Sequence, residues 1–231
     1  MPQISPPEAS ALAPRPTGGG DVLHPPHSEI SRAAARHLDH AAMSLTLNIP
    51  RLETDRLILR GPLASDFDPL ADFLTDQERA HGFGATPDRS KAWRWFATSI
   101  GHWALHGYGY FTMELKETGT PCGITGIWNP HGWPEPELGW VVYQAHEGKG
   151  IAREGAERAR LWAYEHLGMT TLTSNIVPGN TRSIALAERM GAHLERTYEN
   201  VEMGTEMLFR HPSPSDLGLN TDADGNPEAY A

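Results

Sequence analysis

Residues 144–168 read QAHEGKGIAREGAERARLWAYEHLG. Gly148 and Gly150 stand one residue apart, directly before about five turns of helical pattern. Ile151, Ala152, Gly155, Ala156, Ala159, Trp162, Ala163 and Leu167 recur at helical spacing and form one apolar stripe. Glu154 and Arg158 are spaced to pair on the outer side. The small residues let such a helix lie close to a sheet. Its start exposes unpaired N–H groups and the positive end of the helix dipole. Glycines there let the backbone wrap an anion without interference from a Cβ. The stretch therefore reads either as a plain turn or as a phosphate cradle.

Outward from this stretch, the chain alternates clear elements. Arg56–Arg60 is a short strand, and ASDFDPLADFLTD opens a helix with Phe67, Leu70, Ala71 and Leu74 on one face. A second helix, rich in tryptophan, runs from its cap Asp88 to about His106. Strands follow at Tyr108–Leu115, Cys122–Trp128 and Glu137–Tyr143, the last after the proline loop NPHGWPEP. Beyond the long helix come a strand at Thr170–Ile176, a helix at Asn180–Met190 stopped by Gly191, and strands near His193–Glu199 and Val201–Arg210. Hairpin-linked strands come first and a crossover unit follows, which predicts a mixed sheet.

Composition narrows the class. The chain has 231 residues, 39% of them hydrophobic, enough for one core. No apolar run approaches the ~20 residues that cross a bilayer, so no membrane partner is expected. The net charge of −10 and the lack of a Lys/Arg run argue against nucleic acid. The single cysteine, Cys122, forbids an internal disulfide and fits a reducing, cytoplasmic setting. Residues 1–42 carry seven prolines and Gly18-Gly19-Gly20, and read as a disordered tail. Met43 offers an alternative start, the folded domain is expected over 43–211, and residues 212–231 read as a flexible tail.

Two familiar phosphate motifs fail on the glycine stretch. A P-loop needs its first glycine where Tyr143 stands and Ser or Thr after the lysine, where Gly150 stands. A Rossmann turn needs a third glycine where Arg153 stands, and an acidic residue after the next strand, where the sequence is VPGN. ELGWVVYQAHEGKGIAREGAERA together with NIVPGNTRSIALAERMGAHLE instead resembles the GNAT superfamily of acetyl-CoA-dependent N-acetyltransferases, in the branch of the ribosomal-protein N-terminal acetyltransferases. The resemblance covers about residues 50–210. The family pattern Arg/Gln-x-x-Gly-x-Gly/Ala falls on Glu147, Gly150 and Ala152, with Glu147 a departure. A carboxylate beside a pyrophosphate is unfavourable, so Glu147 is expected to point away.

The resemblance implies an α/β (α+β) fold: a central mixed, mostly antiparallel sheet flanked by helices and splayed between its fourth and fifth strands. It implies acetyl-CoA as cosubstrate and a primary amine as acceptor, on a protein N-terminus or a small molecule. The backbone of Trp140, Val141, Val142 and Tyr143 would hold the pantetheine, Gly148, Lys149, Gly150, Ile151 and Ala152 the pyrophosphate, and Asn180 the pantetheine arm while capping its helix. The rival reading is a non-catalytic acyl-CoA-binding or regulatory module of the same fold. The protein is expected as a monomer or homodimer.

Catalytic candidates follow from the chemistry. At pH 7 an α-amine costs about 1 kcal/mol to deprotonate and a lysine amine roughly 4.6 kcal/mol, so an α-amine needs only a modest base. Glu137 lies where related enzymes carry a proposed general base, and Glu135 alternates with it along the strand. The position of the family's acid tyrosine falls on Ala187, which leaves that role vacant; Ser183 matches a serine given the task in the ribosomal branch. A thiolate with a pKa of about 8.5 leaves without a strong acid. Cys122 reads as a buried strand residue, not a nucleophile. His102 and His106 have zinc-ligand spacing without a third ligand, so no metal is expected. The tryptophans at 93, 95 and 103 read as core, while Trp128 and Trp133 flank a loop that could line a substrate pocket.

Overall fold

A computed structural model describes residues 46–219. The expected tail 1–42, the start at Met43 and residues 220–231 of the expected C-terminal tail lie outside the described residues.

One sheet of eight strands forms the centre, in the order β1-β2-β3-β4-β5-β6-β8-β7. The strands are β1 (Leu52–Glu53), β2 (Leu57–Arg60), β3 (Tyr110–Leu115), β4 (Pro121–Trp128), β5 (Glu137–Val142), β6 (Thr173–Ile176), β7 (His193–Asn200) and β8 (Gly204–Arg210). Helices α1 (Phe67–Thr75), α2 (Arg89–His106), α3 (Ile151–Leu167) and α4 (Thr181–Arg189) flank it. This is the mixed, mostly antiparallel architecture that the sequence implied. The two-residue β1 was not expected, because so short a segment carries no alternation to read. None of these helices is long and apolar enough to cross a membrane.

Alternation along the strands builds a core on each face. Phe111, Met113 and Leu138 pack with Trp162, Ala159 and Ala163 of α3, while Tyr110, Val141 and Tyr143 pack with Leu70, Leu74 and Phe96 of α1 and α2. The expected close approach of α3 is visible at Gly155, where an added Cβ would stand 2.4 Å from Met113 Sδ. Asp88 caps α2 by accepting from the Lys91 N–H. Glu154 does not pair with Arg158. It reaches across to Thr54 and Arg56, and the outer i, i+4 pair is Arg153–Glu157 at 2.9 Å. The β2 segment offers Glu154 a backbone N–H, a hydroxyl and a guanidinium at once, which outbids one exposed helix pair.

Every strand pair is antiparallel except β5 with β6, which are parallel and share the single register pair Glu137↔Thr173. Just past it the backbone ladder stops, and Ser174 Oγ donates to Leu138 O at 2.6 Å in its place. Since the Ser174 hydrogen is spent there, His211 Nε2–H donates to Ser174 Oγ at 2.9 Å. The bare Nδ1 then accepts from Arg160 Nη1 at 3.3 Å, and the same Nη1 donates to Met190 O. Burial, then the nearby Arg160, pushes the His211 pKa down to about 3, so the ring stays neutral. Packing continues past residue 211: Tyr164 OH donates to Pro212 O, and Leu217 and Leu219 lie against the core.

Candidate functional site

Where β5 and β6 part, a cavity of about 900 Å³ opens. Leu138 turns its carbonyl toward β6, so by strand alternation Trp140 and Val142 turn their backbone groups into the gap. Tyr143 does not, because its N–H is spent on Cys122 O at 2.9 Å. The cavity floor is the turn into α3. Gly148 and Gly150 have φ of 72° and 77°, a left-handed conformation that glycine tolerates and other residues resist. No side chain caps α3, so its first N–H groups face the cavity as free donors.

Of the residues read from the sequence, Trp140, Val141, Val142, Gly148, Gly150, Ile151, Ala152, Asn180 and Ser183 all line this cavity. Tyr143 and Lys149 are not in the lining; Lys149 Nζ donates to Ala145 O and its own carbonyl accepts from Arg56. Asn180 caps α4, its Oδ1 accepting from Ser183 N at 3.2 Å. Ala187 is fully buried. Glu147 does not point away. Its carboxylate lies in the cavity wall, clamped between Arg79 and Arg182. A carboxylate beside an anion site repels when bare; paired with two guanidinium groups it leaves the cluster cationic. Arg79 comes from the loop after α1 and Arg182 from α4, and neither was evident in the sequence.

A second pocket of about 390 Å³ lies beyond the first. Gly82, Phe83, Trp140, Asn180 and Ser183 line both, so the two are continuous through these residues. Phe83, Trp95, Tyr110, Trp128 and Trp133 form aromatic walls, and Glu137, Glu202 and Glu206 bring carboxylates. Trp95 thus faces the pocket, while Trp93, also read as core, is 50% exposed. Trp103 is buried as expected. Burial pushes the Glu137 carboxyl up to about 7, against the opposing hydrogen bond from Asn175 Nδ2 at 2.6 Å. Glu206 is also raised by burial, although Tyr198 OH and Asn200 Nδ2 both donate to its Oε2. Glu135 behaves oppositely. It lies before β5, and the two-pronged contact with Arg210 holds its carboxyl below the usual range.

The other candidates are occupied elsewhere. Burial raises the Cys122 thiol to about 12, and its S–H donates to Met113 O, so no thiolate forms there at neutral pH. His102 Nδ1 lies 2.8 Å from Tyr108 O and its Nε2 accepts from Asn129 N. Among the described residues no cluster of three or more His, Cys, Asp or Glu is placed to hold a metal ion.

A split parallel pair, an uncapped glycine turn at a helix start and a cleft running between them define an acyltransferase-type fold. The chain belongs to the GNAT acetyltransferase family: the family profile described as "Acetyltransferase (GNAT) domain" matches residues 56–193. It is 30% identical over 161 residues to the uncharacterized N-acetyltransferase p20 of Bacillus licheniformis, covering 65% of this chain and 88% of that protein. A crystal structure of an acetyltransferase from Agrobacterium tumefaciens is 36% identical, with a TM-score of 0.66 over 73% of this chain and 97% of that one. The fold alone is shared, at 12% identity and a TM-score of 0.58 over 71% and 98% of the chains, with RimL, a ribosomal L7/L12 α-N-protein acetyltransferase solved in complex with coenzyme A.

Proposed function

We propose that the protein moves the acetyl group of acetyl-CoA directly to a primary amine. The observation that carries this reading is the meeting of two unlike chambers. A cationic, amide-lined cavity and an acidic aromatic pocket join at Trp140, Asn180 and Ser183, beside the split strands. The free N–H groups at the start of α3, with Arg79 and Arg182, suit the phosphates of CoA. Backbone groups of Trp140 and Val142 suit the pantetheine and the polarised thioester carbonyl.

In the transfer, the amine nitrogen bonds to the thioester carbonyl carbon and the carbon–sulfur bond breaks. Glu137 takes the proton lost by the amine, directly or through one water, and the pKa near 7 suits a base working at neutral pH. Ser183, which lines both chambers, would donate toward the leaving thiolate. Coenzyme A release with acetyl-CoA and a panel of amines tests the reading. Ala187 at the position of the family's acid tyrosine favours a non-catalytic acyl-CoA-binding module. Binding of acetyl-CoA without turnover on any amine would establish that alternative.

A further inference from the structure

The acceptor pocket carries more information than the reaction demands. Its lining includes Glu137, Glu202 and Glu206 and no Lys, Arg or His, whereas the adjoining cavity sets Arg79, Arg153, Arg182 and Arg189 against Glu78 and Glu147, an excess of positive charge. The cleft is therefore divided by sign. One carboxylate accounts for a base. The others are not explained by it, because an amine must be neutral when it attacks and then offers them no charge.

Two polar groups in the pocket lack full partners among the described residues. Asn175 Oδ1 is buried and forms no hydrogen bond. Glu206 is 3% exposed and uses only one of its two oxygens, Oε2. Trp133 Nε1, also buried, lies close enough to the Glu137 carboxylate to oppose the rise in its pKa. Buried polar groups are rarely left bare, and the amide oxygen of Asn175 and the second oxygen of Glu206 both accept hydrogen bonds. Phe83, Trp95 and Trp128 also line the pocket, and aromatic rings of this kind attract cations.

We infer that the acceptor is a small dicationic amine, one nitrogen deprotonated by Glu137 and acetylated, the other staying charged against Glu206 and the aromatic walls. This rests on the acetyltransferase reading above and narrows its acceptor. A volume of about 390 Å³ suits a compact molecule. An amino acid with a free carboxylate would bring a fourth acidic group among three.

The test compares cadaverine with pentylamine, which share a chain length and differ by one ammonium group, alongside a peptide with a free N-terminus. The expected kcat/KM for cadaverine is roughly 10-fold above that for pentylamine. Glu206→Gln, which keeps the volume and can still accept from Tyr198 and Asn200, should bring the ratio toward one. Glu202→Gln, at an exposed position, should lower the ratio without any effect on folding. Acetyl-CoA binding by each variant, measured by calorimetry, shows that it is folded. Pentylamine or the peptide turned over as well as cadaverine overturns the inference and leaves the acetyltransferase reading standing. A cadaverine preference unaltered in both variants also overturns it. No turnover on any amine, with acetyl-CoA still bound, overturns both.

Discussion

Glu147 and Glu137 stand in the walls of one cleft under opposite conditions. Glu147, at the wide end, lies between the guanidinium groups of Arg79 and Arg182. Glu137, at the narrow end, has a neutral amide for a partner and no cation. The first arrangement fixes a charge and shares it. The second leaves a charge costly, so that taking up a proton becomes easy near neutrality. Glu135 repeats the lesson two residues from Glu137: Arg210 lowers its carboxyl and removes it from proton chemistry. What separates a carboxylate held charged from one that takes a proton near neutrality here is the presence or absence of an arginine.

Removing the unpaired charge should have the largest effect. Glu137→Gln is expected to lower kcat/KM for the best amine by about 10²-fold below about pH 8. The wild-type rate should climb as pH rises through about 7, where Glu137 loses its proton, and the variant should lack that limb. The deficit should shrink at higher pH as the amine deprotonates unaided; a constant deficit would assign Glu137 to binding. Stability gives an independent reading of the sign. A carboxyl raised in the folded state favours folding while protonated, and that contribution is lost as pH rises through the folded value near 7. Glu137→Gln should therefore raise the unfolding midpoint above that pH and leave it nearly unchanged near pH 4.

Breaking the paired end should cost less. Arg79→Ala is expected to weaken acetyl-CoA roughly 10-fold by calorimetry, with the loss shrinking at high salt. Equal affinity would mean that Arg79 serves only Glu147. Ser183→Ala, at the junction, should reduce kcat by less than about 10-fold, because the thiolate leaves readily. A larger loss, with KM unchanged, would promote the hydroxyl to an essential acid. The smallest effect on turnover is expected at His211, where the cost falls on stability instead. His211→Ala strips Ser174 and Arg160 of a partner, a cost of about 1–3 kcal/mol, visible as a lowered unfolding midpoint.

The sequence revealed the parts of this machine that are local. Gly148 and Gly150 marked the turn into α3, where both take positive φ, and the family resemblance singled out Glu137, which starts β5. Asn180 and Asp88 were legible as caps from their position alone. The mixed sheet followed from the order of hairpins and crossover, and the splay within it from the family resemblance. What stayed hidden depends on distance along the chain. Arg79 meets Glu147 across 68 residues and Asn175 meets Glu137 across 38, and no periodicity encodes such meetings. Glu206 looked like any strand carboxylate until β8 placed it under the pocket. The tryptophans of α2 misled for another reason: aromatic residues surround that helix, so no stripe told Trp93, which faces solvent, from Trp95, which faces the pocket.

The tie from Ser174 through His211 to Arg160 also sets an order of events in synthesis. Strands β1 to β5 are neighbours in sequence as well as in the sheet, so their ladder can assemble as the ribosome delivers them. The fork between β5 and β6 needs β8 beside β6 and then a residue beyond it, His211, to hold Ser174. A nascent chain halted before residue 211 would have most of its sheet and no fastened fork. The cleft is fastened only once residue 211 has emerged, so a chain interrupted before it keeps most of its sheet and leaves the fork between β5 and β6 open.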